Sequence, residues 1–206
     1  MRAAVALLLW AATAASAHRL DEYLQATMFL VEKDCVQAQM SLTPGVAVFP
    51  FVLAGIDTDT DGQLSGAEKR AYADRVLHDV SLTVDGKLLP LRLVSVKFAE
   101  IEELKQGRGE IGIEFRADVP QGGEKHTLVF ENRHQHGIAA YLVNCLRPRE
   151  AGFQVIAQRR DYRQSHYELD YAQTGVRPVA RSAWWSVGTC VLLLLGSIAL
   201  KWRQRG

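Results

Sequence analysis

The sequence predicts a mainly β, sandwich-like domain of about eight to nine strands, with a helix–loop–helix inserted between the second and third strands and one transmembrane helix near the end of the chain. Three observations lead to this fold class. Apolar residues recur at every second position in several short runs that turn residues separate, as in half-buried strands. Residues 57–68 have the spacing of an EF-hand calcium-binding loop. Residues 183–200 form an uncharged apolar run.

The strands are predicted from the alternating runs. Residues 81–84 and 87–98 form a hairpin, because Asp85-Gly86 between them is a favoured two-residue turn. Pro90 lacks a backbone N–H, so the second of these strands lies at a sheet edge or carries a bulge. In residues 110–116 apolar side chains alternate with charged ones. The other predicted strands are residues 24–33, 35–42, 127–131, 138–146, 153–160 and 167–172.

Residues 57–68, D-T-D-T-D-G-Q-L-S-G-A-E, carry oxygen-bearing side chains at loop positions 1, 3, 5, 9 and 12. Calcium is a hard cation with about six to eight oxygen ligands, so a short loop that binds it must point many oxygens inward. Gly62 at position 6 permits the positive φ of the sharp turn, and Leu64 at position 8 anchors the loop to the core. The predicted ligands are the side chains of Asp57, Asp59 and Asp61, the backbone carbonyl of Gln63, Ser65 through a water, and both carboxylate oxygens of Glu68.

Helices are expected on both sides of this loop, so the insertion covers about residues 44–79. Thr43 is suited to cap the incoming helix and Pro44 to its first turn, while Pro50 would kink that helix or restart it. The outgoing helix starts with an S-x-x-E capping box. The sequence has no second EF-hand loop, so this one must lean on the β domain. The alternative is an Asp- and Gly-rich surface turn that folds without a metal.

The two ends of the chain predict export and a membrane anchor. Residues 1–17 combine a basic start, a short apolar run and an A-x-A cleavage signal, as in a secretory signal peptide. Residues 183–200 have the minimum length of a transmembrane helix, and the basic tail 201–206 is expected to stay in the cytoplasm. The extracytoplasmic domain is therefore residues 18–176, joined to the membrane by the linker 177–182.

The predicted extracytoplasmic part, residues 18–182, contains 20 Lys and Arg and 23 Asp and Glu, a net charge of −3 with histidine neutral. A general nucleic-acid-binding protein would carry a basic excess, so this class of partner is not expected. Cys35 and Cys145 share the oxidising side of the membrane and could form a disulfide, which the sequence leaves open. Cys190 falls in the predicted membrane helix and is expected to be a small packing residue.

Most of the predicted domain, about residues 18–173, resembles the extracytoplasmic N-terminal region of HupE/UreJ-type bacterial membrane proteins. The segments that carry the resemblance are HRLDEYLQAT, LTPGVAVFP, SLTVDGKLLPLRLVSV, LVFENRH, IAAYLVNCL and YELDYAQ. The resemblance implies a periplasm-facing domain at the bacterial inner membrane. In that family the domain precedes a multi-helix membrane unit associated with nickel or cobalt uptake and with hydrogenase or urease maturation. This sequence predicts a single membrane helix, so transport by this chain alone is not expected.

These observations favour a non-enzymatic, calcium-binding periplasmic domain with a structural, sensing or partner-docking role. The second hypothesis is an accessory protein for nickel, cobalt or copper that uses His18 at the mature N-terminus together with His134 and His136, which would face the same way on a strand. The simpler interpretation of the latter two histidines is a solvated polar turn. The third hypothesis is a module that docks a separate membrane protein. The sequence has no nucleophile elbow, phosphate loop or zinc-protease motif, so an enzyme is not expected.

Overall fold

The computed structural model describes residues 21–120, 122–146 and 152–173 of the 206-residue chain. Ten strands in this part of the chain form two five-stranded sheets. Sheet A consists of β1 (Tyr23–Val31), β2 (Cys35–Pro44), β5 (Arg92–Phe98), β6 (Ile111–Asp118) and β8 (Ala139–Cys145), in the order β5-β6-β2-β1-β8. Sheet B consists of β3 (Val80–Val84), β4 (Lys87–Leu88), β7 (Lys125–Asn132), β9 (Phe153–Arg160) and β10 (His166–Gln173), in the order β4-β3-β7-β10-β9.

The two sheets share one hydrophobic core, which is built from the inward side chains of their alternating strands. Phe29 of β1 shows how they meet. Its ring lies edge-on to Phe130 of β7, with the centroids 4.9 Å apart, and stacks on Tyr167 of β10 at 6.1 Å. Such pairs add to the stabilisation that burial of their apolar surface gives. The predicted mainly β fold is confirmed, with ten strands among residues 21–120, 122–146 and 152–173 in place of eight or nine.

The extra strand comes from residues 87–98, which the sequence predicts as one strand. β4 pairs with β3 in sheet B, whereas β5 pairs with β6 in sheet A. Pro90 lies between them, and because proline cannot donate to a ladder, the chain leaves one sheet there and enters the other. The predicted hairpin turn before β4 is present, with φ of 52° at Asp85 and 76° at Gly86.

β1 runs parallel to β8, and it separates β8 from β2. Cys35 begins β2 and Cys145 ends β8, so two strand spacings of about 4.8 Å lie between them. That separation exceeds the Cα–Cα limit of about 7 Å for a disulfide. Both thiols are buried and free, so the disulfide that the sequence left open is not formed. Burial raises the pKa of the Cys145 thiol to about 11.

The described residues contain three helices, α1 (Phe49–Ile56), α2 (Gly66–His78) and α3 (Ile101–Lys105). The prediction that Thr43 and Pro44 begin a helix is wrong, because both lie in β2 and pair with β1. α1 begins instead at Phe49, with Pro50 in its first turn. The N–H groups of a first turn have no acceptor within the helix, so proline costs no hydrogen bond there. α1, the loop and α2 form the predicted helix–loop–helix between β2 and β3.

α3 is a short helix that the sequence does not predict. It buries a single side chain, Leu104, in the core. The chain then turns back tightly against α3: a Cβ added at Gly109 would lie 2.8 Å from the Leu104 nitrogen and 2.8 Å from the Ala99 Cβ. Only glycine allows that approach without displacing the helix.

No helix among the described residues is both long and apolar enough to span a membrane. The predicted signal peptide (1–17), linker (177–182), membrane helix (183–200) and tail (201–206) all lie outside the described residues.

Candidate metal centre

The loop between α1 and α2 brings three of the predicted ligands together. One carboxylate oxygen from each of Asp57, Asp59 and Asp61 lies within 4.8 Å of the other two. α1 ends at Ile56, and the backbone N–H of Asp57 still donates to the Leu53 carbonyl at 2.8 Å. This helix end fixes the first ligand position. Asp57 is buried, at 7% exposure, whereas the other two aspartates are exposed.

The loop folds back on itself because its own carboxylates accept backbone N–H groups. Asp57 Oδ2 accepts from the Gly62 N–H at 3.1 Å, Asp59 Oδ1 from the Asp61 N–H at 3.3 Å, and Asp61 Oδ1 from the Gln63 N–H at 2.7 Å. The sharp turn requires positive φ at Thr60 (59°) and at Gly62 (78°), and the second is the position at which the sequence predicts it.

Glu68 closes the other end of the loop. Its Oε2 accepts from the Ser65 backbone N–H at 3.0 Å and from the Ser65 hydroxyl at 2.8 Å, while Ser65 Oγ accepts from the Glu68 N–H at 3.2 Å. This is the predicted capping box of α2. Oε1 accepts from the Thr58 N–H at 2.7 Å and from its hydroxyl at 3.2 Å. The backbone bond from Ser65, followed by the other bonds, lowers the pKa of Glu68 to about 2.

The predicted ligands therefore fall into two groups, those that lie in the oxygen cluster and those that lie outside it. Asp57, Asp59 and Asp61 form one oxygen cluster, whereas the oxygens of Glu68 are occupied by bonds within the loop. Gln63 follows the cluster in the loop and donates its N–H to it. The Ser65 hydroxyl, predicted to hold a water, takes part in the capping box.

One carboxylate oxygen of the cluster lacks a hydrogen-bond partner. Asp57 Oδ1 is buried and has no hydrogen-bond partner among the described residues. A buried carboxylate oxygen without a partner is rare, because desolvation of a charged group is costly. The neighbouring Asp59 is also destabilised as an anion. The Asp61 N–H bond lowers its pKa, but desolvation and the charges of Asp61 and Glu68 outweigh that bond and raise it. A hard cation bound among these oxygens would give Asp57 Oδ1 a partner and would stabilise the anionic form of Asp59. The residues therefore fit such an ion.

The loop also packs against the β domain. Leu64, at loop position 8, is partly buried and packs against the core. A shallow cleft separates Gly62, Gln63 and Leu64 from Phe98 and the residues that lead into α3. The β domain thus faces the Gly62–Leu64 side of the loop.

Sequence reasoning missed a buried polar network that fixes α2 to the β domain. Tyr72 of α2 bonds through its hydroxyl to the Tyr23 hydroxyl of β1 at 2.6 Å and to His134 Nε2 at 3.1 Å. His134 Nδ1 lies 2.7 Å from Oδ2 of Asp79, the residue that caps the C-terminus of α2. A neutral His134 with its proton on Nδ1 satisfies every member: Tyr23 donates to Tyr72, Tyr72 to His134, and His134 to Asp79.

The network changes the interpretation of the histidine pair. His134 and His136 lie in a turn after β7, so the expectation that they face the same way on a strand is wrong. His134 is 1% exposed and both of its ring nitrogens have partners, whereas His136 is exposed. Burial lowers the pKa of His134, against the opposing influence of Asp79. His18 lies outside the described residues, and nothing in the described geometry favours a transition-metal site at these histidines.

Comparison with known proteins adds no assignment: no family model matches the chain, and neither a curated protein nor a solved structure matches it. The proposed function is therefore inferred from the residues of the site and from the sequence.

Proposed function

We propose that this protein is a calcium-binding, non-enzymatic domain that is anchored in the bacterial inner membrane and faces the periplasm. Its calcium site is the loop of residues 57–68. The observation that carries the proposal is the buried, unpartnered Oδ1 of Asp57, which belongs to the first of three carboxylates clustered within 4.8 Å. The apolar run 183–200 supports the anchor, and residues 1–17 support export.

The donor set favours calcium over other cations. Every candidate ligand atom is an oxygen, from carboxylate, hydroxyl or backbone carbonyl, and hard cations prefer such ligands. Nickel and copper prefer imidazole nitrogens, and none lies in this loop. A short loop rich in carboxylates suits the irregular coordination of calcium better than the strict octahedron of magnesium.

Calcium would act on the domain through Glu68. If Glu68 binds the ion, it has to exchange the bonds from Thr58 and Ser65 that now occupy both oxygens. Glu68 is also the third residue of α2, and Tyr72 of the same helix belongs to the buried network with Tyr23 and His134. Loop occupancy is thereby linked to the attachment of α2 to the β domain, which supports a structural or sensing role.

Calorimetric titration of the full chain with calcium tests the proposal. We expect one site with a dissociation constant on the order of 10⁻⁴–10⁻³ M, as in other extracellular modules. Asp59→Asn should weaken binding, because it removes one of the three clustered negative charges, while the amide oxygen can still accept the Asp61 N–H and keep the loop folded. Asp74→Asn is the matched control, since Asp74 is an exposed aspartate on α2 outside the loop. Equal binding by the wild type and both variants would place calcium elsewhere, and no binding by the wild type would exclude the site.

A further inference from the structure

The outer face of sheet A carries an apolar area where a solvent-facing sheet should be polar. The outward side chains of β1 are all apolar: Leu24, Ala26, Met28 and Leu30. On the neighbouring edge strand β8, Leu142 points outward, and Leu146 follows the strand. Leu142 is 47% exposed and Leu146 49% exposed, so nothing in the described chain covers them. We call this area the β1/β8 face.

The turn between β9 and β10, residues 161–165, borders this face, and the arginines in it and just before it add positive charge. Arg160 and Gln164 line the same groove as Met28 and Leu142. Arg160 bonds only neutral groups, the Val143 carbonyl at 2.8 Å and two side-chain amides. Neither Arg160 nor the exposed Arg163 has a carboxylate partner among the described residues.

Two further residues of this turn affect what the β1/β8 face can bind. Tyr162 at its tip is fully exposed, and tyrosine favours the boundary between water and an apolar phase. Asp161 is the acidic residue of the turn; it accepts from the Ser165 hydroxyl and the His166 N–H, and its negative charge offsets one of the two arginine charges.

The remaining charges on the outer face of sheet A are balanced. On β5, on β6 and at the position just before β6, the basic residues are Arg92, Lys97 and Arg116, and the acidic ones are Glu110, Glu114 and Asp118. The outward side chains of β2, between these strands and β1, are polar and uncharged. A surplus of positive charge therefore lies beside the apolar area, at Arg160 and Arg163, and this arrangement complements a surface that is apolar beneath and negative above.

We propose that the β1/β8 face docks onto an anionic lipid bilayer. Aliphatic side chains, an exposed tyrosine and unpaired arginines are the combination that binds the interface of such a membrane. This inference uses the proposed membrane anchor: the nine residues between Gln173 and the predicted helix reach at most about 30 Å, which keeps the domain beside the bilayer.

Two other occupants fit less well. A two-fold contact with a second copy places the same patch on both partners, so Arg160 and Arg163 of one copy would meet no surplus of carboxylates on the other. Addition of a partner strand to β8 is hindered, because Arg160 already bonds the Val143 carbonyl and Gln164 Oε1 accepts from the Val143 N–H at 3.4 Å.

The test places an environment-sensitive dye on each sheet of the full chain, in a Cys190→Ala background. Ser41→Cys puts the dye on the outer face of sheet A beside the groove, and Ser81→Cys is the matched control on sheet B. Cys35 and Cys145 are buried and should not label. The chain is placed in nanodiscs of phosphatidylcholine alone or with phosphatidylglycerol. We expect a shift of the emission to shorter wavelength only at position 41 and only with the anionic lipid.

Two variants test the charged and the apolar contributions to docking separately. Arg163→Gln should weaken docking about fivefold, since each basic residue near an anionic surface contributes about that factor. Leu142→Glu should abolish the shift. The same emission at position 41 in both lipids, or an equal shift at position 81, would overturn the proposal. A shift in detergent that grows with protein concentration would assign the face to a second copy. A chain that fails to co-purify with nanodiscs refutes the anchor instead, and flotation with anionic vesicles then tests the face separately.

Discussion

Replacing Tyr72 with phenylalanine tests the buried network that joins α2 to the β domain. The ring stays, so no cavity forms, but the Tyr23 O–H and His134 Nε2 both lose their partner in a site where neither is more than 1% exposed. Each unsatisfied buried group costs about 1–3 kcal/mol, so Tyr72→Phe should lower the free energy of unfolding by about 2–6 kcal/mol. Urea unfolding of the full chain, followed by circular dichroism, measures the loss.

The double variant distinguishes a chain of hydrogen bonds from two independent contributions to the free energy of unfolding. Tyr23→Phe alone should cost only about 1 kcal/mol, because the Tyr72 hydroxyl still donates to His134. Tyr23→Phe combined with Tyr72→Phe leaves only the His134 nitrogen unsatisfied, so the double variant should be more stable than Tyr72→Phe alone. Tyr162→Phe, at a fully exposed tyrosine, should change nothing. Additive losses from the two buried tyrosines would refute the hydrogen-bond chain.

Three further predictions follow from local contacts. Gly109→Ala should destabilise the domain by about 1–3 kcal/mol, because its Cβ would meet backbone at 2.8 Å, whereas Gly137→Ala has open space and should be neutral in the same urea assay. Since burial lowers the folded-state pKa of His134, the unfolded chain binds more protons, and the urea midpoint should fall as the pH drops below about 6.5; a midpoint that is constant from pH 7.5 to 5.5 would contradict this. Cys35 and Cys145 should react with a thiol reagent only after unfolding, and rapid reaction in the native state would be inconsistent with their burial.

The sequence predicts local structure well where one short-range rule dominates. Period-two alternation identifies the strands, Asp85-Gly86 identifies the hairpin, and Ser65 with Glu68 identifies the start of α2. The loop spacing also predicts which three aspartates gather. Each of these features depends on residues within about twelve positions of one another, so the pattern is visible in the sequence alone.

Features that depend on distant contacts could not be predicted in this way. The parallel pairing of β1 with β8 joins residues more than 110 positions apart, and it keeps Cys35 away from Cys145. His134 looks like part of a polar turn until the fold places Tyr72 and Asp79 against its ring. Thr43 and Pro44 have helix-start propensity, but pairing with β1 keeps them in a strand, so the tertiary contact overrides the local preference.

If residues 57–68 bind calcium, the ion should raise the melting temperature of the full chain, because a ligand that binds only the folded state stabilises it. At a calcium concentration ten times the dissociation constant, binding to the folded state stabilises it by about 1.4 kcal/mol. For a domain of this size that corresponds to a rise of about 3–6 °C over the value in EGTA. We predict this rise in calcium and a smaller one in equimolar magnesium. Equal melting temperatures in calcium, magnesium and EGTA would show that residues 57–68 do not bind calcium.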